Sequence, residues 1–426
     1  MFLHFLFYLF VAISVIDIIH LGLYLTGANF YDIWQYRRQA RSPKRSHHKL
    51  RPLVTVLIPA HNEEVGIIRC LDSVRKNTYR KLEIIVIDDA STDNTKRLVR
   101  QYIEKYPNRN IRLMYKQHNG GKAEALNHGL RRGANGELVM TLDADSVLHR
   151  KSITNAVSYF DDPRVVGVAA NVRILDSLTV LGLLQKFEHM VGYRSKKFFS
   201  VINSEYIVGG VASTYRRDML KKVRFYDNDT TTEDIGLSLK VVAEGNREHR
   251  IIYAANVLAM TEGVQTFKAL IRQRYRWKLG GLQNLIKYRA LVGNTNKRYS
   301  RGLTFYRLPM AFLGEIMLLL EPLAVGYVIY VCYLLLNPSM VIGAYMTITV
   351  YLLLNVWPDE HMNFGKKVKM SLYTPAMYFI FYLMNLVQLA AIFRCIANYK
   401  QALGRTQVSS HWVSPKRIGD SQIQFS

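Results

Sequence analysis

Cysteine is scarce in this chain. Only three occur among 426 residues, Cys70, Cys332 and Cys395, and the last two fall in apolar segments. So few exclude a disulfide framework and a cysteine-based metal site, and they fit a soluble part held in a reducing compartment. Acidic residues are also in short supply: 32 against 57 lysines and arginines, for a formal charge of +25. An excess of this kind points to nucleic acid or to an anionic surface. Neither a zinc-ligand spacing nor an RNA-binding signature accompanies it. The cytoplasmic face of a membrane is then the simpler partner, with no nucleic acid, because each nearby Lys or Arg adds about 1 kcal/mol there. The amino-terminal apolar run lacks a basic start, a short apolar centre and a small-residue cleavage site, and so does not read as a signal peptide.

What is present is segregation. Hydrophobic residues at 49% and charged residues at 21% coexist because apolar blocks stand at both ends and the charges lie between them. Phe2 to Leu25 is long enough to span a bilayer. Arg37, Arg38, Arg41, Lys44, Arg45, Lys49 and Arg51 follow without an acid among them, which makes the next segment cytoplasmic by the positive-inside rule. Further candidates are Met310 to Leu336, Met340 to Trp357 and Tyr373 to Ile396. Glu315, Glu321 and Pro322 interrupt the first of these, either as acids lining a polar groove or because an interfacial helix precedes a shorter span. Three spans after a cytoplasmic domain would put the tail with Lys400, Arg405, Lys416 and Arg417 outside. Either one candidate lies along the interface or the tail breaks the rule. The expected organisation is an N-terminal transmembrane helix in 1–30, a basic cytoplasmic linker in 31–51, a soluble domain with interfacial helices in 52–293, a region of two or three spans in 294–397, and a basic tail in 398–426. That tail is too short for an appended regulatory domain.

Within 52–293, short apolar runs alternate with amphipathic stretches. Leu53–Ile58, Leu82–Ile87, Ile111–Tyr115 and Leu138–Leu142 predict strands; Val65–Lys76, Asp93–Tyr106 and Gly121–Arg132 predict the helices between. Alternation of this kind implies an α/β fold with a mainly parallel sheet, which binds ligands at the carboxyl ends of its strands. Polar motifs fall at those ends: Pro59-Ala-His-Asn-Glu-Glu64 after the first strand, Asp88-Asp-Ala-Ser-Thr-Asp93 after the second, and Asp143-Ala-Asp145 after the fourth. Asn119-Gly-Gly-Lys122 opens a helix, where free N–H groups and a lysine favour a phosphate. Any one of them would pass as a loop or a helix cap. Four in register on successive strand ends are hard to attribute to turn chemistry.

These motifs, with Gly209-Gly210, Arg216-Arg217, Thr232-Glu-Asp234 and Gln273-Arg-Tyr-Arg-Trp277, resemble the membrane-bound, inverting glycosyltransferases of family 2. Among these the likeness is to the processive β-polysaccharide synthases, nearest to those of poly-β-1,6-N-acetylglucosamine, with hyaluronan, chitin and cellulose synthases as more distant relatives. The resemblance covers Val54 to about Leu285. It implies a nucleotide-sugar-binding (GT-A) domain inserted between transmembrane helices, and a UDP-sugar donor, UDP-N-acetylglucosamine first, used to extend a growing polysaccharide.

The resemblance also implies roles. Asp145 is the metal ligand, with Asp143 sharing the ion or serving the nucleotide ribose; Mg²⁺ or Mn²⁺ fits such oxygen ligands. Asp88 and Asp89, beside Pro59, Asn62 and Glu63, bind uracil and ribose, and Lys122 assists at the phosphates. Asp234 is the base that takes the acceptor's proton, worth on the order of 10²–10⁴ in rate, with Glu233, Asp227 and Asp229 as neighbours open to confusion with it. Thr232-Glu-Asp also reads as a helix start. Gln273 stands at its matching catalytic place in the motif, Arg276 stabilises the leaving diphosphate, and Trp277 offers a flat face to an acceptor sugar, although an Arg-Trp pair near a membrane is otherwise an interfacial anchor. Gly209 and Gly210 let the acceptor approach, and Gln185, Glu188 and Tyr193 are further acceptor-groove candidates. His411, Trp412 and Arg417 echo a family feature near the opening. Few spans and apparently buried acids suggest a small membrane partner or self-association that completes a pore.

Overall fold

The computed structural model of the protein describes residues 2–41, 51–175 and 179–404; His411, Trp412 and Arg417 lie outside them. The first half of the soluble part runs β1 (Val54–Ala60), α2 (Ile67–Arg75), β2 (Leu82–Asp89), α3 (Thr95–Lys105), β3 (Ile111–Lys116), α4 (Lys122–Arg132) and β4 (Leu138–Thr141), after a first helix α1 (Phe2–Arg41). Ile67, Cys70, Leu71 and Val74 of α2 recur at helical spacing and are all buried, which is why this stretch turns one face to the sheet. In β1 all seven residues are buried, as expected of a central strand covered on both sides. Pro59 is tolerated there for a local reason. The Leu53 and Leu57 carbonyls accept from Leu138 and Leu142 of the β4 side, so residue 59 faces the same way. The β1–β4 pairing ends at Leu57, and the missing proline N–H has no partner to disappoint.

The second half supplies β5 (Val147–Leu148), α5 (Ser152–Tyr159), β6 (Val165–Ile174), α6 (Val180–Val201), β7 (Ser213–Arg216), α7 (Arg217–Lys222), α8 (Glu233–Ala243), β8 (Arg250–Thr261) and α9 (Phe267–Lys287). The strands form one sheet in the order β3-β2-β1-β4-β7-β6-β8-β5. The expected parallel half is there, β3, β2, β1 and β4 all running one way. Beyond it the sheet is mixed: β7 is antiparallel to β4 and to β6, and β5 to β8, while β6 and β8 are parallel. Apolar side chains pack on both faces, α2, α3 and α5 covering one and α4, α7, α8 and α9 the other.

Among the described residues, four helices are long and apolar enough to cross a membrane: His4–Arg37, Gly302–Leu334, Ser339–Val356 and Phe364–Ala397. They correspond to α1, to α10 (Leu308–Leu334) with the π-helical turn before it, to α11 (Ser339–Val356) and to α12 (Phe364–Ala397); a short α13 (Tyr399–Ala402) follows. Two boundaries differ from expectation. Helix α1 runs on to Arg41, well into the stretch expected as a linker, because Ala28 and Tyr31 bury against the soluble part and the Tyr31 hydroxyl donates to the Tyr253 carbonyl at 2.8 Å. Helix α10 passes through Pro322 unbroken, so no separate interfacial helix precedes a shorter span. Its acids pair within the chain: Glu315 accepts from Lys278 Nζ at 2.8 and 3.0 Å, and Glu321 accepts from Asn385 at 2.6 Å.

Both ends of α12 meet the soluble part. Just before it, Asp359 takes two bonds from Arg173 of β6 at 2.7 and 2.8 Å, and His361 reaches the Ala255 carbonyl at 3.1 Å. Just after it, Gln283 of α9 donates to the Gln401 carbonyl at 2.8 Å. Between them Met384 packs on Leu184 of α6 and Leu270 of α9.

Candidate active site

The carboxyl ends of β1 and β4 open on a cavity of about 1420 Å³ bounded by α4, α6, α8 and α9. Of the residues singled out from sequence, it brings together Glu63, Lys122, Asp143, Asp145, Gly209, Gly210, Glu233, Asp234, Gln273, Arg276 and Trp277, with the acceptor-groove candidates Gln185, Glu188 and Tyr193 and the neighbouring acids Asp227 and Asp229 also on its lining. Pro59, Asn62, Asp88 and Asp89 stand behind that wall.

Asp89 is fully buried and accepts from Lys116 Nζ at 2.8 Å and from the Gly120 and Gly121 amides at 3.2 and 2.8 Å. Its charge thereby shapes the loop that delivers Lys122, where Gly121 sits at φ +85°, a conformation that favours glycine. Asn62 is also spent internally. At φ +54°, its Oδ1 accepts from the Thr92 amide at 2.8 Å and hydroxyl at 3.2 Å, which ties the loop after β1 to the loop after β2. Asp88 differs from both: it is buried, and its Oδ1 has no hydrogen-bond partner among the described residues, an arrangement that costs free energy unless something donates to it. His61, which sequence reasoning passed over, bridges the Asp89 carbonyl at 2.8 Å and Asn119 Nδ2 at 3.2 Å.

At the end of β4, Asp143 faces the cavity and forms an ion pair with Lys122, whose Nζ also lies 3.8 Å from Glu233. Burial disfavours the Lys122 charge, but Asp143 and then Glu233 and Asp234 outweigh it and hold its pKa above the ordinary lysine value. Burial likewise pushes the Glu233 carboxyl up, against the pull of Lys122. Asp145 is more enclosed, accepting from Ser146 Oγ at 2.9 Å and Thr261 Oγ1 at 3.4 Å. Among the described residues no group of three or more His, Cys, Asp or Glu is placed to hold a metal ion. Two carboxylates on one cavity wall still suit a hard cation that draws its other ligands from phosphate oxygens and water.

The two glycines of the 209–210 pair differ. A methyl at Gly210 would stand 2.6 Å from Lys122 Nζ, whereas one at Gly209 would meet nothing within 4 Å. Gly210 therefore leaves room for the lysine. Arg216, from the same motif, braces the fold by donating to the Val165 and Phe160 carbonyls at 2.8 and 2.7 Å.

Across the cavity, α8 starts at Glu233 after Thr232. Thr232 makes no side-chain cap; instead Asp234 Oδ1 accepts from the Ile235 amide at 2.8 Å. Asp227 and Asp229 of the preceding loop also line the cavity, but lysines hold them, Asp227 by Lys240 and Lys287 and Asp229 by Lys287, while Glu233 and Asp234 face it from the start of α8. Helix α9 contributes Gln273, whose Oε1 is buried without a partner among the described residues, and then Arg276 and Trp277. Gln185 is taken up by the backbone of Leu181 and Val264. His189 touches the Val172 carbonyl and the Tyr193 hydroxyl at 3.2 and 3.1 Å, and burial pushes its pKa down to about 4, so it is neutral near pH 7.

Comparison with known proteins bears on this geometry. Residues 55–224 match the protein-family model "Glycosyl transferase family 2". A poly-beta-1,6-N-acetyl-D-glucosamine synthase of Staphylococcus aureus is 32% identical over 239 residues, 55% of this chain and 56% of the relative. One from Staphylococcus epidermidis is 31% identical over 248 residues, 57% of this chain and 58% of the relative. The match thus spans little more than half the length of these curated relatives. Among solved structures, the mannosyltransferase PcManGT from Pyrobaculum calidifontis, in complex with GDP-Man and Mn²⁺, is 24% identical with a TM-score of 0.52, covering 80% of this chain and 97% of its own; that likeness is one of fold. With strand-end motifs, sheet and sequence in agreement, the chain carries a glycosyl transferase family 2 domain.

Proposed function

We propose that the protein is a processive, inverting glycosyltransferase. It extends a β-linked polysaccharide from UDP-N-acetylglucosamine on the cytoplasmic side of a membrane and passes the product outward. The observation that carries this reading is the meeting of two kinds of group on one cavity: Asp143, Asp145 and Lys122 on one wall, Asp234, Arg276 and Trp277 on the other. The names of the staphylococcal relatives support the sugar and the polymer.

The residues divide the chemistry. Asp145, with Asp143 beside it, would hold Mg²⁺ or Mn²⁺, and when bound that ion offsets the charge growing on the diphosphate; the mannosyltransferase of like fold was solved with Mn²⁺. Asp88, behind the cavity wall and with its Oδ1 lacking a partner among the described residues, would accept from the nucleobase, with Pro59, Asn62, Glu63 and Asp89 beside it. Lys122 and Arg276 meet the diphosphate from opposite sides, Arg276 as a fork of donors. Gln273, with its buried Oε1 unpaired, orients the sugar or the leaving group. Asp234 accepts the proton of the acceptor hydroxyl as that oxygen bonds the anomeric carbon and UDP departs on the opposite face, which inverts the centre. Trp277 carries the acceptor's terminal ring.

The membrane arrangement follows the same logic. The basic run before Arg51 favours a cytoplasmic catalytic unit, 52–293, after one span in 1–30. The contacts at both ends of α12 favour its lying along the membrane face of that unit, with α10 and α11 as the crossing pair. The tail from 398 then returns to the cytoplasm, in accord with its basic residues. Since Glu315 and Glu321 pair internally, the small number of crossing helices alone supports a partner subunit or self-association.

A screen of UDP-sugars with Mn²⁺ or Mg²⁺, followed by digestion of the product with linkage-specific glycosidases, tests the proposal. A polymer cut by poly-β-1,6-N-acetylglucosamine-specific enzymes is expected. No UDP release from any donor would end the enzymatic reading, and a product cut only by hyaluronan-, chitin- or cellulose-specific enzymes would replace the polymer named here.

A further inference from the structure

Arg274 lies within the Gln273–Trp277 motif yet does not line the cavity. It is 4% exposed, and its guanidinium carbon lies 4.3 Å from the centre of the Trp277 ring. The two residues are three apart on α9 and so share a helix face. A buried guanidinium needs a counter-charge, and Glu188 of α6, 86 residues upstream, supplies it through a direct ion pair. Burial pushes the Glu188 carboxyl up and the Arg274 guanidinium down, each opposed by the other. Trp277 itself is 39% exposed and borders the cavity. One face of the indole is thus covered by a cation fixed from a second helix, and the cavity has the rest of the ring.

We propose that Arg274, anchored by Glu188, is a positioning residue that holds the Trp277 ring as a one-sided platform for the terminal sugar of the acceptor. This rests on reading the cavity as a glycan acceptor site. Stacking a sugar demands a ring at fixed tilt, and an indole joined to its helix by two rotatable bonds does not keep one unaided. A guanidinium held 4.3 Å from the ring centre resists the ring's rotation, and its attraction to the ring is strongest where water is excluded. Lysine at 274 keeps the charge but loses the plane.

The test uses the full chain in detergent or nanodiscs. Arg274→Lys, Glu188→Gln and the double variant Glu188→Met/Arg274→Met are compared with the parent. The double change removes the buried guanidinium together with its half-buried partner and so spares the fold the cost of a buried charge left alone. Sugar incorporated per UDP released is expected to fall about tenfold in all three, since small misplacements of a reacting partner have effects of this order or larger. A second readout is the Trp277 emission, taken as the difference from Trp277→Phe in each background; it should become more accessible to acrylamide. If the double variant regains the parent's ratio and quenching, the pair is merely structural and the proposal is overturned. If the parent releases UDP but makes no polymer, the polymerase reading fails. The quenching arm still decides this inference in that case, and unchanged quenching overturns it.

Discussion

Gly280 of α9 lies against Thr232, the residue from which α8, the helix of Asp234, starts. A methyl at 280 would stand 2.6 Å from Thr232 Cγ2 and 2.8 Å from its amide nitrogen. One turn further, Asn284 Nδ2 donates to Thr232 Oγ1 and to its carbonyl, both at 3.1 Å, and Gln283 Oε1 accepts from the Thr231 amide and hydroxyl at 2.9 and 2.8 Å. The helix that presents Trp277 therefore also fixes where Asp234 begins. The wall that carries Trp277 and the loop that carries Asp234, the proposed acceptor platform and base, thus form one hydrogen-bonded unit.

Replacing Gly280 with alanine should break that unit. The added methyl meets backbone that cannot swing aside, so overpacking costs about 1–3 kcal/mol and α8 shifts. Since Asp234 must sit within hydrogen-bond reach of the acceptor, activity is expected to fall on the order of 10²-fold. Gly281→Ala is the control, because a methyl there meets nothing within 4 Å. UDP release measured for both variants at matched membrane expression checks it; equal losses would refute the argument from Thr232.

Gly210 and Gly209 make a second contrast. A methyl at 210 displaces the flexible end of Lys122 from Asp143; the fold survives because only a lysine terminus moves. The expected result for Gly210→Ala is a donor KM raised about tenfold, equivalent to ~1.4 kcal/mol of lost donor contact, with Gly209→Ala within about twofold. Initial-rate kinetics against UDP-N-acetylglucosamine distinguish the two.

The first four strands and the motifs at their ends were legible because β1, β2 and β4 are continuous apolar runs broken by acids and asparagines where the sheet stops. Strand β7 was not. Ser213–Arg216 is four residues long with one apolar side chain, and its antiparallel direction depends on a neighbour, β6, that is remote in sequence. Hydropathy reads α12 as a span, and in the fold it is long and apolar enough to be one, while the contacts that tie its two ends to the soluble part, Asp359 with Arg173 and Gln401 with Gln283, are ones that only the folded chain reveals. The place of Arg274 was hidden for the same reason, since its partner Glu188 lies on another helix. Gly210 was expected to open a path for the acceptor, and the atom nearest it is a lysine nitrogen.

Glu83 offers a test on stability rather than rate. It is buried and accepts from Thr55 Oγ1, from the Asn135 and Gly136 amides at 2.5 and 3.0 Å, and from Arg112 at 2.8 Å, which anchors the turn leading into β4 and the Asp143–Asp145 motif. Burial raises its pKa, but these donors outweigh it and the net direction is below the ordinary 4.5. A depressed carboxylate stabilises the fold above the unfolded value, and that contribution is lost as pH falls through the lower folded value. Glu83→Gln should lose about 1–3 kcal/mol near neutral pH. The gap to the parent in thermal unfolding should then narrow as the medium is acidified below 4.5. A gap independent of pH would mean that the hydrogen bonds, and not the charge, hold the turn.

The roles given to Asp145, Asp234 and Trp277 separate by what each variant still does. Asp145→Asn removes half the charge of the β4 end, where Asp143 is already engaged by Lys122, so UDP binding should lose its dependence on Mn²⁺ along with the activity. Asp234→Asn leaves that end untouched. It is expected to bind UDP with metal as the parent does while sugar transfer falls by on the order of 10²–10⁴, the usual worth of a positioned base. Trp277→Ala removes neither metal ligand nor base, and should lower polymer yield more than UDP release. Calorimetric titration of UDP with and without Mn²⁺, paired with product assays on the same preparations, reads all three. Substantial polymer from Asp234→Asn would move the base to Glu233, which shares the loop and lies 3.8 Å from Lys122; equal loss of polymer and UDP release in Trp277→Ala would take the acceptor platform away from the indole.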